Sequence, residues 1–146
     1  ERYWTQACEE YQKRLGAFCK FRIIEVAEHK LPEQPSETQI QQALKAEGEK
    51  ILQLAAGSTL IPLCIEGKQI DSPALAQHLG ALALNGVSAV SFVIGSSHGL
   101  CDKVKQSRTL QLSMSRMTFP HQLARVMLCE QIYRAFQIQN HGRYHK

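Results

Sequence analysis

A chain of 146 residues, 44% hydrophobic and 21% charged, has the size and composition of one folded soluble domain with its own core. No apolar run approaches the roughly 20 residues of a membrane span, and no signal peptide is expected where Glu1 opens directly into a polar helix. Net charge is +4 but uneven: from Lys103 onward eight bases accompany a single acid, Glu130, while the first 102 residues carry −3. A basic end on a near-neutral body suits a polyanion, whose neutralised phosphates release counterions, or is equally a solvated basic helix.

In chain order, residues 1–15 read as a helix with Trp4, Cys8, Tyr11 and Leu15 on one stripe. The segment FRIIEV, Phe21 to Val26, reads as a short strand, and the two prolines between His29 and Pro35 mark a loop. Ser36 with Gln39 forms a capping box that starts a helix to about Ala56, with Ile40, Leu44, Ile51 and Ala55 inward, until Gly57 stops it. TLIPLCI, Thr59 to Ile65, is apolar enough for a strand covered on both faces, although Pro62 removes a ladder donor and argues for an edge or bulge. Glu66 to Lys68 is expected to turn the chain. Ser72 is expected to cap the next helix, with Pro73 at its first position and Leu75, Leu79 and Leu82 inward. A second buried strand runs from Val87 to Ile94 and stops at Gly95. A short helix follows near Cys101 to Gln106, then a strand at Thr109 to Leu112. Pro120 opens a long final helix with Leu123, Val126, Met127, Ile132, Tyr133 and Phe136 on its apolar side.

Strands alternating with helices predict an α/β fold with a mostly parallel sheet flanked by helices, in one domain over residues 1–146. Such a domain usually opens with a strand, so an N-terminal strand is expected to be missing ahead of Glu1. The five cysteines, Cys8, Cys19, Cys64, Cys101 and Cys129, are odd in number and lack CxxC spacing. They are expected to be reduced thiols of a cytoplasmic protein.

Parallel sheets bind ligands beyond the carboxyl ends of their strands. Three segments have the form of a buried strand followed by a small-residue or polar loop: Leu63 to Lys68, Phe92 to Leu100, and Leu112 to Pro120. Gly95 and Gly99 allow close backbone approach or positive φ, though any one of these loops alone reads as a simple turn. GxGxxG, GxxxxGK[ST] and HExxH are all absent, so dinucleotide binding, P-loop hydrolysis and zinc-protease chemistry have no support. No nucleophile triad can be read from spacing, and His141 with His145 is the only close histidine pair, so no metal site is expected. The end of the chain, Arg143-Tyr144-His145-Lys146, puts two cations, an aromatic and an imidazole in four residues. That set suits RNA, because tyrosine stacks on bases and the cations hold phosphate, but a frayed basic terminus has the same composition.

FVIGSSHGL at Phe92 to Leu100, LSMSRMTFPHQL at Leu112 to Leu123, EQIYRAF at Glu130 to Phe136 and the terminal Tyr144-His145-Lys146 closely resemble the RlmH family. These are SPOUT-class methyltransferases of the bacterial large ribosomal subunit. The resemblance runs from the first helix to the last residue. It implies a C-terminal deep trefoil knot, a topology that general rules of chain connection would not suggest. It also implies a homodimer and S-adenosylmethionine bound in the knot, with methylation at N3 of a pseudouridine in 23S rRNA of the assembled ribosome. Cofactor contacts are implied at Leu63, Gly95, Met114, Ser115, Arg116, Met117, Thr118 and Phe119. Ser96 departs from the usual glycine pair and would either crowd the methionine moiety or point away.

For the reaction, the resemblance directs attention to Tyr144, His145 and Arg134. His145 or Tyr144 is expected to assist loss of the N3 proton, and Arg134 or Arg143 to stabilise charge spread over the ring oxygens. Arg125, Arg143 and Lys146 are expected to contact RNA. His121 either orients the tail or cofactor or simply starts a helix. The alternative from another class is a non-catalytic RNA-binding or ribosome-associated factor that keeps the fold and has lost cofactor binding.

Overall fold

The computed structural model describes residues 1–106 and 109–146. In chain order the elements are α1 (Arg2–Leu15), α2 (Glu37–Leu54), β1 (Thr59–Gln69), α3 (Ser72–Leu84), β2 (Val90–Val93), α4 (Asp102–Lys105), β3 (Leu112–Ser113) and α5 (His121–Gln139). Their contacts fall into two units: Ile24–Gln69 with Ser88–Thr118, and Glu1–Ile23 with Ile70–Val87 and Phe119–Lys146. No helix of the described residues is long and apolar enough to cross a membrane.

The first unit carries the sheet, a parallel three-stranded layer in the order β2-β1-β3, in agreement with the expected α/β class. β1 is the central strand and longer than expected. Instead of turning at Glu66 to Lys68 it passes through a bulge between Leu63 and Lys68 and pairs with β3 on both sides of it. Gly67 makes that path possible, since a Cβ there would stand 2.6 Å from the carbonyl oxygen of Gln111. Lys68 N donates to the same carbonyl at 2.7 Å. Pro62 is fully buried in this central strand rather than at an edge. It forms the last pair with β2, opposite Val93, so its missing N–H falls at the end of a ladder, next to the bulge.

α2 begins as its sequence requires, with Gln39 N donating to Ser36 Oγ at 3.1 Å and Ser36 N donating to Gln39 Oε1 at 2.9 Å. Its buried face includes Gly48, which packs against Cys101 and Val104 of the α4 region. Val93, Leu100 and Val104 form a buried cluster with Ile51, Leu52, Leu60 and Cys101 around it. β2 is shorter than expected, and the third strand lies at Leu112–Ser113 rather than Thr109 to Leu112. The FRIIEV segment is not a strand. An extended segment becomes one only where another strand takes its N–H and C=O groups, and none does so among the described residues.

The second unit is built of α1, α3 and α5, with α5 packed against both other helices. Asp71, not Ser72, caps α3, its carboxylate accepting from Ala74 N at 2.9 Å. The Ser72 hydroxyl instead donates to Gln131 Oε1 at 2.6 Å. Buried on α5 are Leu128, Cys129, Ile132 and Ala135, a different set from the expected stripe, of which only Ile132 is buried. A helix covered on two sides buries small residues between its apolar ridges, which a one-stripe reading does not anticipate. All five cysteines are free thiols, with Cys8, Cys64 and Cys129 buried.

Candidate active site

Sheet register sets Leu63 beside the strands that lead into two other expected cofactor positions, Gly95 and Met114. Pro62 pairs with Val93 and the next residue, Leu63, pairs with Leu112. Gly95 and Met114 each lie two residues past those partners, about 7 Å further along the strand direction. In the Gly95 loop a Cβ on Gly95 would come 2.5 Å from the carbonyl oxygen of Gly99, so glycine is required by the loop's own backbone. Gly99, with φ of 87°, returns its N–H to Ser96 O at 2.9 Å. The Ser96 hydroxyl is turned back to Gly99 O at 3.5 Å, tying the serine into its own loop.

The loop after β3 is held from within. Ser113 Oγ donates to Ser115 O at 3.1 Å, and Met117 N donates to Ser115 Oγ at 2.9 Å. Among the described residues no hydrogen bond takes up the backbone groups of Met114, Arg116 or Thr118. Met117 is 73% exposed, a large apolar side chain offered to solvent. Open amides and carbonyls beside apolar side chains can read the edge of a nucleoside and cover its face. A nearby cavity of about 280 Å³ joins Ser96, Ser97 and His98 to His29, Lys30 and Glu47. Charges of both signs line it. Phe119 belongs to the second unit.

In the second unit the end of the chain folds back on α5. Asn140 caps the helix, and His141, at a φ of 55°, turns the chain, with Gly142 N donating to Gln137 O at 2.8 Å. Tyr144 then stands edge-on to Tyr133, ring centroids 4.8 Å apart, and the Arg134 guanidinium lies 4.7 Å from the Tyr144 centroid. Arg134 grips Glu130 with two atoms, Nε to Oε1 at 2.8 Å and Nη2 to Oε2 at 3.0 Å. Its Nη1 is 3.0 Å from His145 Nδ1. The three residues expected to carry chemistry are thus brought into one contact set. Glu130 holds Arg134 firmly in its charged form. Burial first, then the hydrogen bond with Tyr11, pushes the Tyr144 phenol up to about 12, so it keeps its proton at neutral pH.

Arg143 and Lys146 are exposed beside this set, whereas Arg125 is half-buried, and His121 is exposed at the start of α5. Sequence reasoning missed Glu130, Tyr11 and Arg14. Arg14 lies 5.4 Å from the Tyr11 ring centroid and 5.7 Å from that of Tyr133. The available signal for Glu130 was its position four residues before Arg134 as the single acid of a basic stretch.

A family model described as "Predicted SPOUT methyltransferase" matches residues 1–145. The chain belongs to the SPOUT methyltransferase family. It is also similar to the Ribosomal RNA large subunit methyltransferase H of Bifidobacterium animalis subsp. lactis (strain AD011). The two are 50% identical over 147 residues, covering 100% of this chain and 92% of that protein.

Proposed function

We propose that this SPOUT methyltransferase transfers a methyl group from S-adenosylmethionine to N3 of a pseudouridine in 23S rRNA of the assembled ribosome. It does so in the cytoplasm as a homodimer of one domain, residues 1–146, with its C-terminal segment threaded into a trefoil knot. The observation that carries this reading is the joined set of Glu130, Arg134, Tyr144 and His145 at the basic end of the chain. Identity at half of all positions with a protein named for this class of reaction supports it.

The loops of the first unit fit the donor. Leu63 and Met117 supply apolar surface, and the free backbone groups of Met114, Arg116 and Thr118 supply hydrogen bonds to an adenine edge, with Ser115 and Gly95 completing the contacts. When bound, S-adenosylmethionine supplies an electrophilic methyl carbon. The protein's task is to align a nucleobase nitrogen with it, which is an orientation effect above all. Tyr144, protonated at neutral pH, serves as a ring to pack on the base and as a hydrogen-bond donor, not as a base. Arg143 and Lys146 hold phosphate, and Arg125 lies on α5, the helix that precedes them.

Two measurements test the reading. Calorimetric titration with S-adenosylmethionine is expected to show binding; its absence would leave a fold-retaining RNA-binding factor. Mass spectrometry of ribosomal RNA from cells with and without the protein is expected to differ by one methyl group on one pseudouridine of the large subunit. Identical spectra would refute the assignment.

A further inference from the structure

The guanidinium of Arg134 has five N–H donors and no acceptor. Its Nη1 stands 3.0 Å from His145 Nδ1, so Nδ1 is the acceptor of that bond and its lone pair is occupied. The ring proton therefore sits on Nε2, the remaining nitrogen. Arg134 is placed to do this because Glu130, one helical turn earlier, takes Nε and Nη2 on its two carboxylate oxygens at 2.8 and 3.0 Å. Both partners of that ion pair are well covered, with side-chain exposures of 23% and 18%, so the fork is held in one geometry rather than sampled among many.

We propose that Glu130 is a positioning residue that, through Arg134, fixes His145 as the Nε2–H tautomer, so that His145 meets the substrate as a hydrogen-bond donor and not as the proton acceptor. The inference rests on the methyl-transfer reading above and narrows it. With the Tyr144 phenol protonated and the His145 acceptor nitrogen already engaged, neither group takes the N3 proton. That proton goes to water. The N3 electron pair then forms the new N–C bond as the C–S bond breaks, and the breaking pair stays on sulfur. The negative charge that deprotonation leaves on the ring oxygens is what an Nε2–H is suited to meet. Arg134 has three of its donors committed to Glu130 and His145, and so it acts chiefly through the imidazole.

The tautomer can be read directly by long-range proton–nitrogen NMR on the full-length protein labelled at histidine, near neutral pH, with the His145 signals assigned by their loss in His145→Ala. The native protein is expected to show protonated Nε2 and unprotonated Nδ1 at His145. Glu130→Gln keeps the shape of the side chain and loses the charge. It is expected to mix the two tautomers and to lower kcat roughly tenfold to a hundredfold, less than the roughly hundredfold to thousandfold of removing an aligned donor outright, with KM for ribosomes changed less than about twofold. An Nδ1-protonated ring in the native protein, or native kcat in Glu130→Gln, overturns the proposal. Because the spectrum needs neither cofactor nor RNA, a protein without methyltransferase activity still reports its tautomer, and the two readings fail separately.

Discussion

Gly95→Ala tests whether the loop after β2 is a rigid part of the donor site. The added Cβ would lie 2.5 Å from Gly99 O, 2.6 Å from Gly99 C and 2.9 Å from Leu100 Cγ. A relaxed nonbonded contact needs about 3.5 Å, and two of these atoms are backbone, so no side-chain rotation relieves the clash. The loop must retreat by most of an ångström and weaken the Gly99 N to Ser96 O bond of 2.9 Å that closes it. Overpacking of this kind costs about 1–3 kcal/mol, which for a chain this long lowers Tm by roughly 3 °C per kcal/mol. Donor affinity should fall at least about tenfold, equivalent to 1.4 kcal/mol, because the displaced backbone borders the proposed nucleoside platform. Thermal denaturation and calorimetric titration with S-adenosylmethionine measure the two effects. Gly80→Ala is the control: on α3 its Cβ meets only Gln139 Nε2 at 3.6 Å, so it should raise Tm slightly and leave affinity unchanged. Native Tm and native affinity in Gly95→Ala would refute the reasoning.

Three further outcomes follow from the same geometry. Gly48→Ala places a Cβ onto Cys101 Sγ and 3.3 Å from Val104 Cγ2. It should lower thermal stability although alanine is the better helix former by about 1 kcal/mol, and Cys101→Ala should restore much of the loss. Tyr144 is raised from 10.0 to about 12 by burial and its Tyr11 hydrogen bond, and Cys129 from 9.0 to about 12 by burial beside Cys8. Groups raised on folding stabilise fully below their unfolded values and lose that contribution as pH climbs through the folded ones. Urea denaturation should therefore show stability falling between pH 9 and 12, and Tyr144→Phe should lose less of it above pH 10 than the native chain. If one subunit's tail serves the other's donor site, mixing His145→Ala subunits with Gly95→Leu subunits should recover methylation that neither has alone; no recovery counts against a composite site.

Long helices and their starts were readable because their causes are local. Ser36 and Gln39 close a capping box within four residues, and no distant contact can disguise it. Sheet details were less readable because they depend on partners. FRIIEV has the composition of a strand, yet composition supplies no edge to pair with. The apparent turn at Glu66 to Lys68 became a bulged strand because Gly67 allows the backbone of Gln111 to come close, a fact about residues more than forty positions apart. Gly48 is similar: within α2 it looks like a weak helix residue, and only the sulfur of Cys101 against it explains why a side chain is excluded.

The site divides in the same way. Loops of small and apolar residues after strands announce a ligand platform by composition, and the tail announces itself by packing Tyr144 and His145 between Arg143 and Lys146. Glu130 announces itself only weakly, by standing four residues before Arg134, because in a stretch of eight bases a single acid looks like a stray charge. Its role becomes clear from what it opposes. A surface shaped only to hold a polyanion would bind more tightly without that carboxylate, since each added net positive charge strengthens the salt-dependent part of RNA affinity. Glu130→Gln should therefore bind ribosomes at least as well as the native protein while turning over more slowly. An acid that weakens attraction to the substrate yet is locked by two hydrogen bonds to Arg134 is explained by the geometry it imposes on His145, and not by binding.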